Sequence, residues 1–417
     1  MKIDVNYLDS KSWVEQDMRE RFCWMRENDP VYWSENDEVW LITKYADVVY
    51  CSKHQELFTS AEGVLAGNPI KLGLIDEGEP RHGRLRGLIN RGFTPRMVAR
   101  LEEHFRGIVK EAIDAVASKG ECDFVEAISV PLPLRLIALM MGVQPKDYDT
   151  FHRWSDHMIG AEGRLDDPEV VARAGQAYAE YATYISGVIE DRRQNPRDDL
   201  VSILTGAKDG GLLMEFEQTA DDLPDVARAG ETGDEITALH NDELIKLMVV
   251  LLVAGNETTR NGISGGMQLL IENPDQKQKL IDDPRLIKSA VEEMLRVTTP
   301  IVSFSRTVTQ DTELRGKRLE RGQKLLLAYP SANRDPEEFE DPDVFRIDRN
   351  PNHVAFGLGS HFCLGANLAR MEMRVALEQV LRRMPDMEYA AGGPVLVPSS
   401  LVRTCAEMKV RFTAEAA

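Results

Sequence analysis

The sequence predicts a mainly α-helical protein with a minor β region. Apolar residues recur at helical spacing over five long segments, whereas the β-branched segments are few and short. The predicted helices are Arg96–Ala117, Glu169–Arg193, Asn241–Asn273, Pro284–Val297 and Cys363–Met384. The predicted strands are Val39–Ile42, Lys324–Ala328 and Met408–Phe412.

Three segments rich in Gly, Pro, Asp or Asn are predicted to be loops: Thr59–Gly73, Gly206–Thr237 and Ala332–His353. The chain has 417 residues and 43% hydrophobic content, which is enough to bury a large core. Because no linker composition divides it, we expect one domain over residues 1–417. Residues 206–237 are expected to form a mobile loop insertion, since long loops inside a domain are usually functional or disordered.

The composition excludes several classes of function. The chain carries 50 Lys and Arg against 69 Asp and Glu, a net charge of −19, so no nucleic-acid partner is expected. Its five cysteines are odd in number and lack CxxC spacing, which argues against a disulfide framework and a structural zinc site. The longest apolar run, Leu247–Gly255, is far below the roughly 20 residues of a membrane span. With no secretory signal visible, we expect a cytoplasmic monomer.

One cysteine lies in a setting that suits iron chemistry. Phe356–Gly365 reads FGLGSHFCLG and precedes a predicted helix. Its glycines allow tight turns and close approach to a flat ligand. Cys363 lies near the helix start, where backbone amides favour a thiolate. A thiolate on haem iron favours O–O cleavage. A structural cysteine in a Gly-rich turn is the alternative, which the combination of features disfavours.

A second motif follows an apolar stretch of the predicted central helix. Ala254–Thr259 reads AGNETT, which is polar and poor in helix propensity. Gly255 and the two threonines predict a local break or bulge in the helical hydrogen bonds, where water could enter the core. The alternative is a kink with an incidental carboxylate.

Together these motifs resemble the cytochrome P450 family. The pattern Phe356-x-x-Gly359-x-x-x-Cys363-x-Gly365 is similar to its haem-binding motif, and AGNETT to its oxygen-activating motif. The resemblance runs from about Asp17 to the C-terminus and is closest to soluble bacterial members. It implies that Glu257 relays protons from solvent and that Thr258 holds water near the iron, assisting oxygen cleavage by acid catalysis.

The resemblance also implies a set of haem b contacts. Cys363 would be the iron ligand, and cations and donors would bind the two propionates. The cofactor-binding set is Cys363, His82, Arg86, Arg306, His361, Phe356, Gly357, Ala254 and Gly255. Each propionate candidate taken alone would more often be a surface residue.

An acid and a base at i,i+3, Glu293 and Arg296, form a further match. On an exposed helix such a pair contributes only a few tenths of a kcal/mol. The resemblance implies that this pair is buried behind the haem and that Arg349 completes a structural network.

The substrate pocket implied by the resemblance is apolar, which favours a hydrophobic substrate. Its predicted residues are Val250, Val253, Ile301, Val302, Leu401 and Val402, with core packing as the alternative for each. The motifs look like those of members that act on sterol side chains, terpenoids and branched fatty acids.

The sequence therefore predicts a monooxygenase that inserts one atom of O2 into a C–H bond. No Gly-rich dinucleotide loop or Fe–S cysteine spacing is present, so electrons should come from NAD(P)H through a separate reductase and ferredoxin. A peroxide-driven peroxygenase and a haem sensor or carrier are the alternatives. Four arginines are expected to form a basic ferredoxin surface, Arg81, Arg84, Arg370 and Arg374, unless carboxylates such as Glu79 and Glu372 pair with them.

Overall fold

The structure is a computed structural model of the chain. It describes residues 3–67, 71, 73–90, 93, 95–161, 167–197, 199–209 and 241–415. Helices dominate these residues, and the predicted mainly α class with a minor β region is confirmed. The prediction of a single domain stays a prediction.

Thirteen α-helices lie in the described part of the chain. They are α1 Glu15–Asn28, α2 Tyr45–Lys53, α3 Arg81–Asn90, α4 Pro95–Ala117, α5 Pro131–Met140, α6 Tyr148–Ile159, α7 Pro168–Gln194, α8 Leu200–Asp209, α9 Asn241–Glu272, α10 Pro274–Asp282, α11 Ile287–Thr298, α12 Tyr329–Ala332 and α13 Ala366–Arg383. Local signals set several ends. For example, the Asp167 side chain accepts hydrogen bonds from the amides of Glu169 and Val170, and Pro168 occupies the first helical position.

Several predicted boundaries differ from the structure, and the helix predicted from Pro284 begins at Ile287. The last helix begins at Ala366 and not at Cys363, because the Cys363 amide donates to the Phe356 carbonyl instead of joining the helix. The predicted loop 206–237 is also shortened, because helix α8 continues to Asp209. Residues 210–237 of that predicted insertion lie outside the described residues.

The strands form small sheets. They are β1 Val31–Ser34, β2 Val39–Ile42, β3 Phe58–Thr59, β4 Glu121–Asp123, β5 Ser303–Val308, β6 Thr312–Leu314, β7 Lys317–Leu319, β8 Lys324–Ala328, β9 Glu388–Tyr389, β10 Val395–Val397, β11 Thr404–Glu407 and β12 Lys409–Arg411. The main sheet has the order β1-β2-β8-β5-β3, with β2 and β8 parallel and the other pairs antiparallel. The bounds of β2 and β8 match the predicted strands.

Helix α9 runs through the core and contacts α5, α6, α7, α11 and α13. Its glycines permit close packing: a Cβ on Gly262 would lie 3.0 Å from the Met373 sulfur, and one on Gly266 would lie 3.0 Å from the Met294 sulfur. Because α9 is surrounded by other helices, its apolar stretch over residues 247–252 is buried on all sides. Among the described residues, no helix combines the length and apolar character needed to cross a membrane.

The predicted break in this helix is wrong, because α9 is continuous from Asn241 to Glu272. Polar side chains of α9 form hydrogen bonds to backbone carbonyls of the same helix without interrupting its backbone hydrogen bonds. The Thr258 hydroxyl donates to the Ala254 carbonyl at 2.8 Å, and the Asn261 amide donates to the Glu257 carbonyl at 2.7 Å. A π-helical turn does occur outside α9, at Val125–Ser129.

Candidate active site

A mainly apolar cavity lies between α9 and the loop before α13. Helix α9 contributes Val250, Ala254, Gly255 and Thr258 to its wall, and the loop contributes a second set. That second set includes Phe356, Gly357 and Cys363. The structure therefore brings the two sequence motifs, about 100 residues apart, onto one enclosed space.

The cysteine loop depends on glycine at one position in particular. Gly359 has φ +72°, and a Cβ there would lie 2.5 Å from the Ser52 carbonyl oxygen. Only glycine tolerates both conditions. The Cys363 side chain opens onto the cavity. Burial raises the pKa of the Cys363 thiol, and the Gly365 amide and Arg86 offset this only in part. A bound cation would favour the thiolate more strongly than the helix start does.

Four polar side chains predicted to bind propionates line the same cavity: His82, Arg86, Arg306 and His361. The rings of His82 and His361 stack with their centroids 3.9 Å apart. Burial lowers the pKa of both imidazoles, that of His361 to about 3, so His361 is neutral at neutral pH. The buried Arg306 Nε has no hydrogen-bond partner among the described residues.

These features fit haem. The cavity offers one thiol, two guanidinium groups and two imidazoles, and Arg306 retains an unused donor for a carboxylate. Two small residues of α9, Ala254 and Gly255, leave room for a flat ring.

Glu257 and Thr258 are adjacent in sequence but face different surroundings. Thr258 lines the cavity, whereas Glu257 does not and is only 1% exposed. Glu257 Oε2 lies 2.8 Å from Arg260 Nη2, yet neither of its carboxylate oxygens has a hydrogen bond of good geometry. Burial raises the pKa of Glu257 to about 8, against the opposing effect of Arg260. The side chain is therefore a buried acid that is largely protonated at neutral pH.

The predicted ion network is assembled, and its central pair is fully buried. Glu293 and Arg296 are both 0% exposed and make two hydrogen bonds of 2.7 Å. Arg349 Nε donates to Glu293 at 3.1 Å. Arg296 also donates to the carbonyls of Asn333 and Pro342, at 2.8 and 2.7 Å. The network ties α11 to the segment that leads into the cysteine loop.

The structure places only part of the predicted substrate wall at the cavity. Val250 and Ile301 line the cavity. Four other residues do not, namely Val253, Val302, Leu401 and Val402. Val302 packs into the cluster around Trp13 and Phe22 instead.

The remaining three lie behind the wall. Leu401 and Val402 pack behind Val64 and Ile301, and Val253 packs against the main core. The cavity lining also includes Val64 and Leu74, together with the unpredicted Leu247, Leu251 and Phe304. Helical spacing from Val250 and Ala254 could have identified Leu247 and Leu251.

The expected basic surface is largely neutralised by ion pairs. Arg81 pairs with Glu77 and Glu243, Arg370 with Glu292, and Arg374 with Glu102 and Glu378. The alternative of pairing is thus correct for these three arginines, although the partners differ from those expected. Glu79 bonds to His82, and Glu372 is buried at the cavity wall with no partner for its Oε2.

Comparisons with known proteins define the family. The sequence model of the family "Cytochrome P450" matches residues 164–385. A "Steroid C26-monooxygenase" of Mycolicibacterium smegmatis is 37% identical over 415 residues, covering 99% of this chain and 97% of that protein. A "Methyl-branched lipid omega-hydroxylase" of Mycobacterium tuberculosis is 36% identical over 363 residues, covering 84% of this chain and 78% of that protein.

Solved structures of similar fold are also cytochromes P450. A Mycobacterium marinum cytochrome P450 in complex with pseudoionone has a TM-score of 0.85 at 30% identity, covering 99% of each chain. A Bacillus megaterium cytochrome P450 in complex with testosterone has a TM-score of 0.80 at 32% identity, covering 94% of this chain and 99% of that one.

This chain belongs to the cytochrome P450 family, as the residue patterns predicted. It is a monooxygenase, and the family implies haem iron as its cofactor.

Proposed function

We propose that this cytochrome P450 uses O2 to hydroxylate an unactivated C–H bond of a sterol-like or methyl-branched lipid molecule. One observation carries the proposal: Cys363 and Thr258 face the same mainly apolar cavity. When bound, haem b supplies the oxygen chemistry there. The protein orients the substrate, excludes bulk water and delivers protons.

Cys363 is the iron ligand in this proposal. Arg86, Arg306, His82 and His361 would hold the propionates through charge and hydrogen bonds, and Phe356, Gly357, Ala254 and Gly255 would contact the ring. The stacked imidazoles are fixed from outside the cavity. Ser60 Oγ lies 2.9 Å from His361 Nε2, and Glu79 Oε1 lies 2.9 Å from His82 Nδ1.

Thr258 and Glu257 hold and move the proton that the oxygen chemistry would consume. The Thr258 hydroxyl donates to the Ala254 carbonyl, and its oxygen can accept a hydrogen bond from a water molecule on the cavity side of α9. Glu257 stores a proton at neutral pH because burial favours its uncharged form. Rotation of its side chain past the helix passes that proton to the water held by Thr258.

Glu293, Arg296 and Arg349 play a structural role. Their bonds fix residues 333–349, which lead directly into the cysteine loop. Breaking a buried pair of this kind leaves an uncompensated charge, so the loop and its ligand would lose their support.

The substrate class rests on the wall of the cavity and on the relatives. Apolar side chains from three regions meet in it, including Leu247, Ile301 and Phe304. Among the described residues, the charged lining residues are the two arginines assigned to propionates and the buried Glu372. The cavity thus favours a large apolar molecule, consistent with relatives named for steroids and methyl-branched lipids. A terpenoid is a further member of this class.

Electrons come from NAD(P)H through a reductase and a ferredoxin-type protein. A peroxide-driven peroxygenase is the second candidate, and the Glu257–Thr258 pair favours O2, since a peroxide user has no need of this proton supply. A haem sensor or carrier would not need it either. The monomeric state and the cytoplasmic location stay predictions.

Two assays test this function. Addition of a sterol or branched lipid to the purified haem protein should shift the iron from low to high spin. Product should then form with NADPH, reductase and ferredoxin, and depend on O2. Efficient turnover with hydrogen peroxide alone and none with the electron donors would establish the peroxygenase instead.

A further inference from the structure

One arginine bridges two carboxylates on neighbouring helices. Arg260 Nη2 lies 2.8 Å from Glu257 Oε2, and Arg260 Nη1 lies 3.1 Å from Asp156 Oδ1. Glu257 and Arg260 belong to α9, whereas Asp156 belongs to α6. The Asp156 carboxylate is also within hydrogen-bonding reach of the Glu257 carboxyl group.

A histidine continues this cluster towards solvent. His152 Nε2 lies 3.2 Å from Asp156 Oδ2, one turn earlier on α6. The Glu257 side chain is 1% exposed, whereas the side chains of Asp156 and His152 are 38% and 35% exposed and both reach the surface. The three groups therefore form a continuous series from the buried acid to the protein surface.

The two carboxyl groups are suited to share a proton. Both Glu257 oxygens are buried without a hydrogen-bond partner, whereas a protonated Glu257 could donate to Asp156. Two adjacent carboxylates cannot both be charged at low cost in a buried setting, even beside one arginine. Arg260 and Asp156 are the charged groups that act on Glu257, and Asp156 in turn faces Arg260 and His152.

We propose that His152 and Asp156 take up protons from solvent and pass them to Glu257, with Arg260 holding the two carboxyl groups in place. The inference rests on the proposed function, in which Glu257 supplies the proton used at the oxygen site. The protonated imidazole gives its Nε2 proton to Asp156 Oδ2, and the Asp156 carboxyl group then gives a proton to the Glu257 carboxylate. His152 then regains its proton from hydronium or a buffer acid in solvent, and no electrons move. Imidazole suits the first step because each of its two ring nitrogens can bind or release a proton.

The decisive comparison uses holoenzyme variants of the surface groups. Asp156→Asn and His152→Gln should each slow product formation by roughly 10- to 100-fold and raise the solvent deuterium isotope effect. Two substitutions on the same helix serve as matched controls, Asp149→Asn and His157→Gln, and both should behave as wild type. His152 is one third exposed, so its variant folds even if Asp156→Asn does not.

A second measurement is independent of turnover. Infrared titration of the ferric holoenzyme should show a protonated carboxyl band that Glu257→Gln removes. In Asp156→Asn, the pH midpoint at which the Glu257 carboxyl band disappears should fall by about one pH unit or more, because the neighbouring negative charge is gone. An unchanged midpoint would show that the two carboxyl groups do not interact, and would overturn the inference.

The outcomes separate the two proposals. If Glu257→Gln slows turnover while Asp156→Asn and His152→Gln match their controls, the uptake route is refuted and the role of Glu257 stands. If Glu257→Gln itself turns over as wild type, the proton supply under the proposed function fails, and this inference fails with it.

Discussion

Two Glu-x-x-Arg pairs in this chain have the same spacing and opposite surroundings. Glu257 and Arg260 lie on α9, and Glu293 and Arg296 lie on α11. Both glutamates are at most 1% exposed. Glu293 accepts hydrogen bonds from both sides of the Arg296 guanidinium, from Arg349 and from the Arg346 amide. Glu257 accepts none, and its arginine is shared with Asp156.

The difference shows what separates a structural carboxylate from a proton carrier. Glu293 accepts four hydrogen bonds, and the arginine beside it donates its remaining N–H groups to backbone carbonyls. Glu257 has too few donors to compensate its burial, so its uncharged form is favoured and a proton is available there. Spacing alone does not distinguish the two roles; the number of donors does.

The largest expected effect is on stability. Glu293→Gln should lower the free energy of unfolding by about 3–5 kcal/mol, because Arg296 would keep a buried charge with its partner gone. Glu257→Gln should cost far less, since the amide resembles the protonated acid. Urea unfolding of the holo proteins at neutral pH measures both. Equal losses for the two variants would remove the distinction drawn here.

The next effect is on coupling. Thr258→Ala should retain haem and substrate binding, while the rate of product formation falls by roughly 10²-fold and NAD(P)H consumption continues. Thr183→Ala is a matched control, because Thr183 donates to the carbonyl four residues earlier at 2.9 Å on α7, far from the cavity lining. Product formed per NAD(P)H consumed is the measurement. An unchanged ratio in Thr258→Ala would exclude this residue from proton delivery.

The smallest effect is a pH dependence of stability. The pKa of Glu257 is raised on folding, so its uncharged form stabilises the native state fully below its unfolded pKa. This contribution is lost as pH rises through the folded pKa of about 8. The wild type should therefore lose stability relative to Glu257→Gln between pH values near 4.5 and 8. Denaturant unfolding of both proteins across this range checks the sign; a constant difference would argue that Glu257 is charged when folded.

The sequence allowed prediction of features that local chemistry determines. The cysteine loop is defined by its glycines and by the helix that follows, and α9 shows an apolar pattern whose spacing places Val250, Ala254 and Thr258 on one face. The i,i+3 contact between Glu257 and Arg260 was also visible but was not recognised. The expected helix break failed because side chains bonded to carbonyls without disrupting the helix.

Features that depend on distant partners could not be predicted in this way. Asp156 lies about 100 residues from Arg260 in sequence, and only the packing of α6 on α9 brings them together. Val302, Leu401 and Val402 are apolar and close to Ile301, but the path of each strand and turn decides which side chain faces the cavity. The arginine ion pairs likewise join separate helices, as with Arg374 and Glu102.

The identity of the iron ligand is the central claim, and one spectrum tests it directly. Reduced, CO-bound wild type should show the long-wavelength band of thiolate-ligated haem that gives the family its name. Cys363→Ser should lose this band, whereas Cys23→Ser, at an exposed cysteine outside the cavity lining, should keep it. If Cys363→Ser kept the band, another residue would ligate the iron, and the site described here would be wrong.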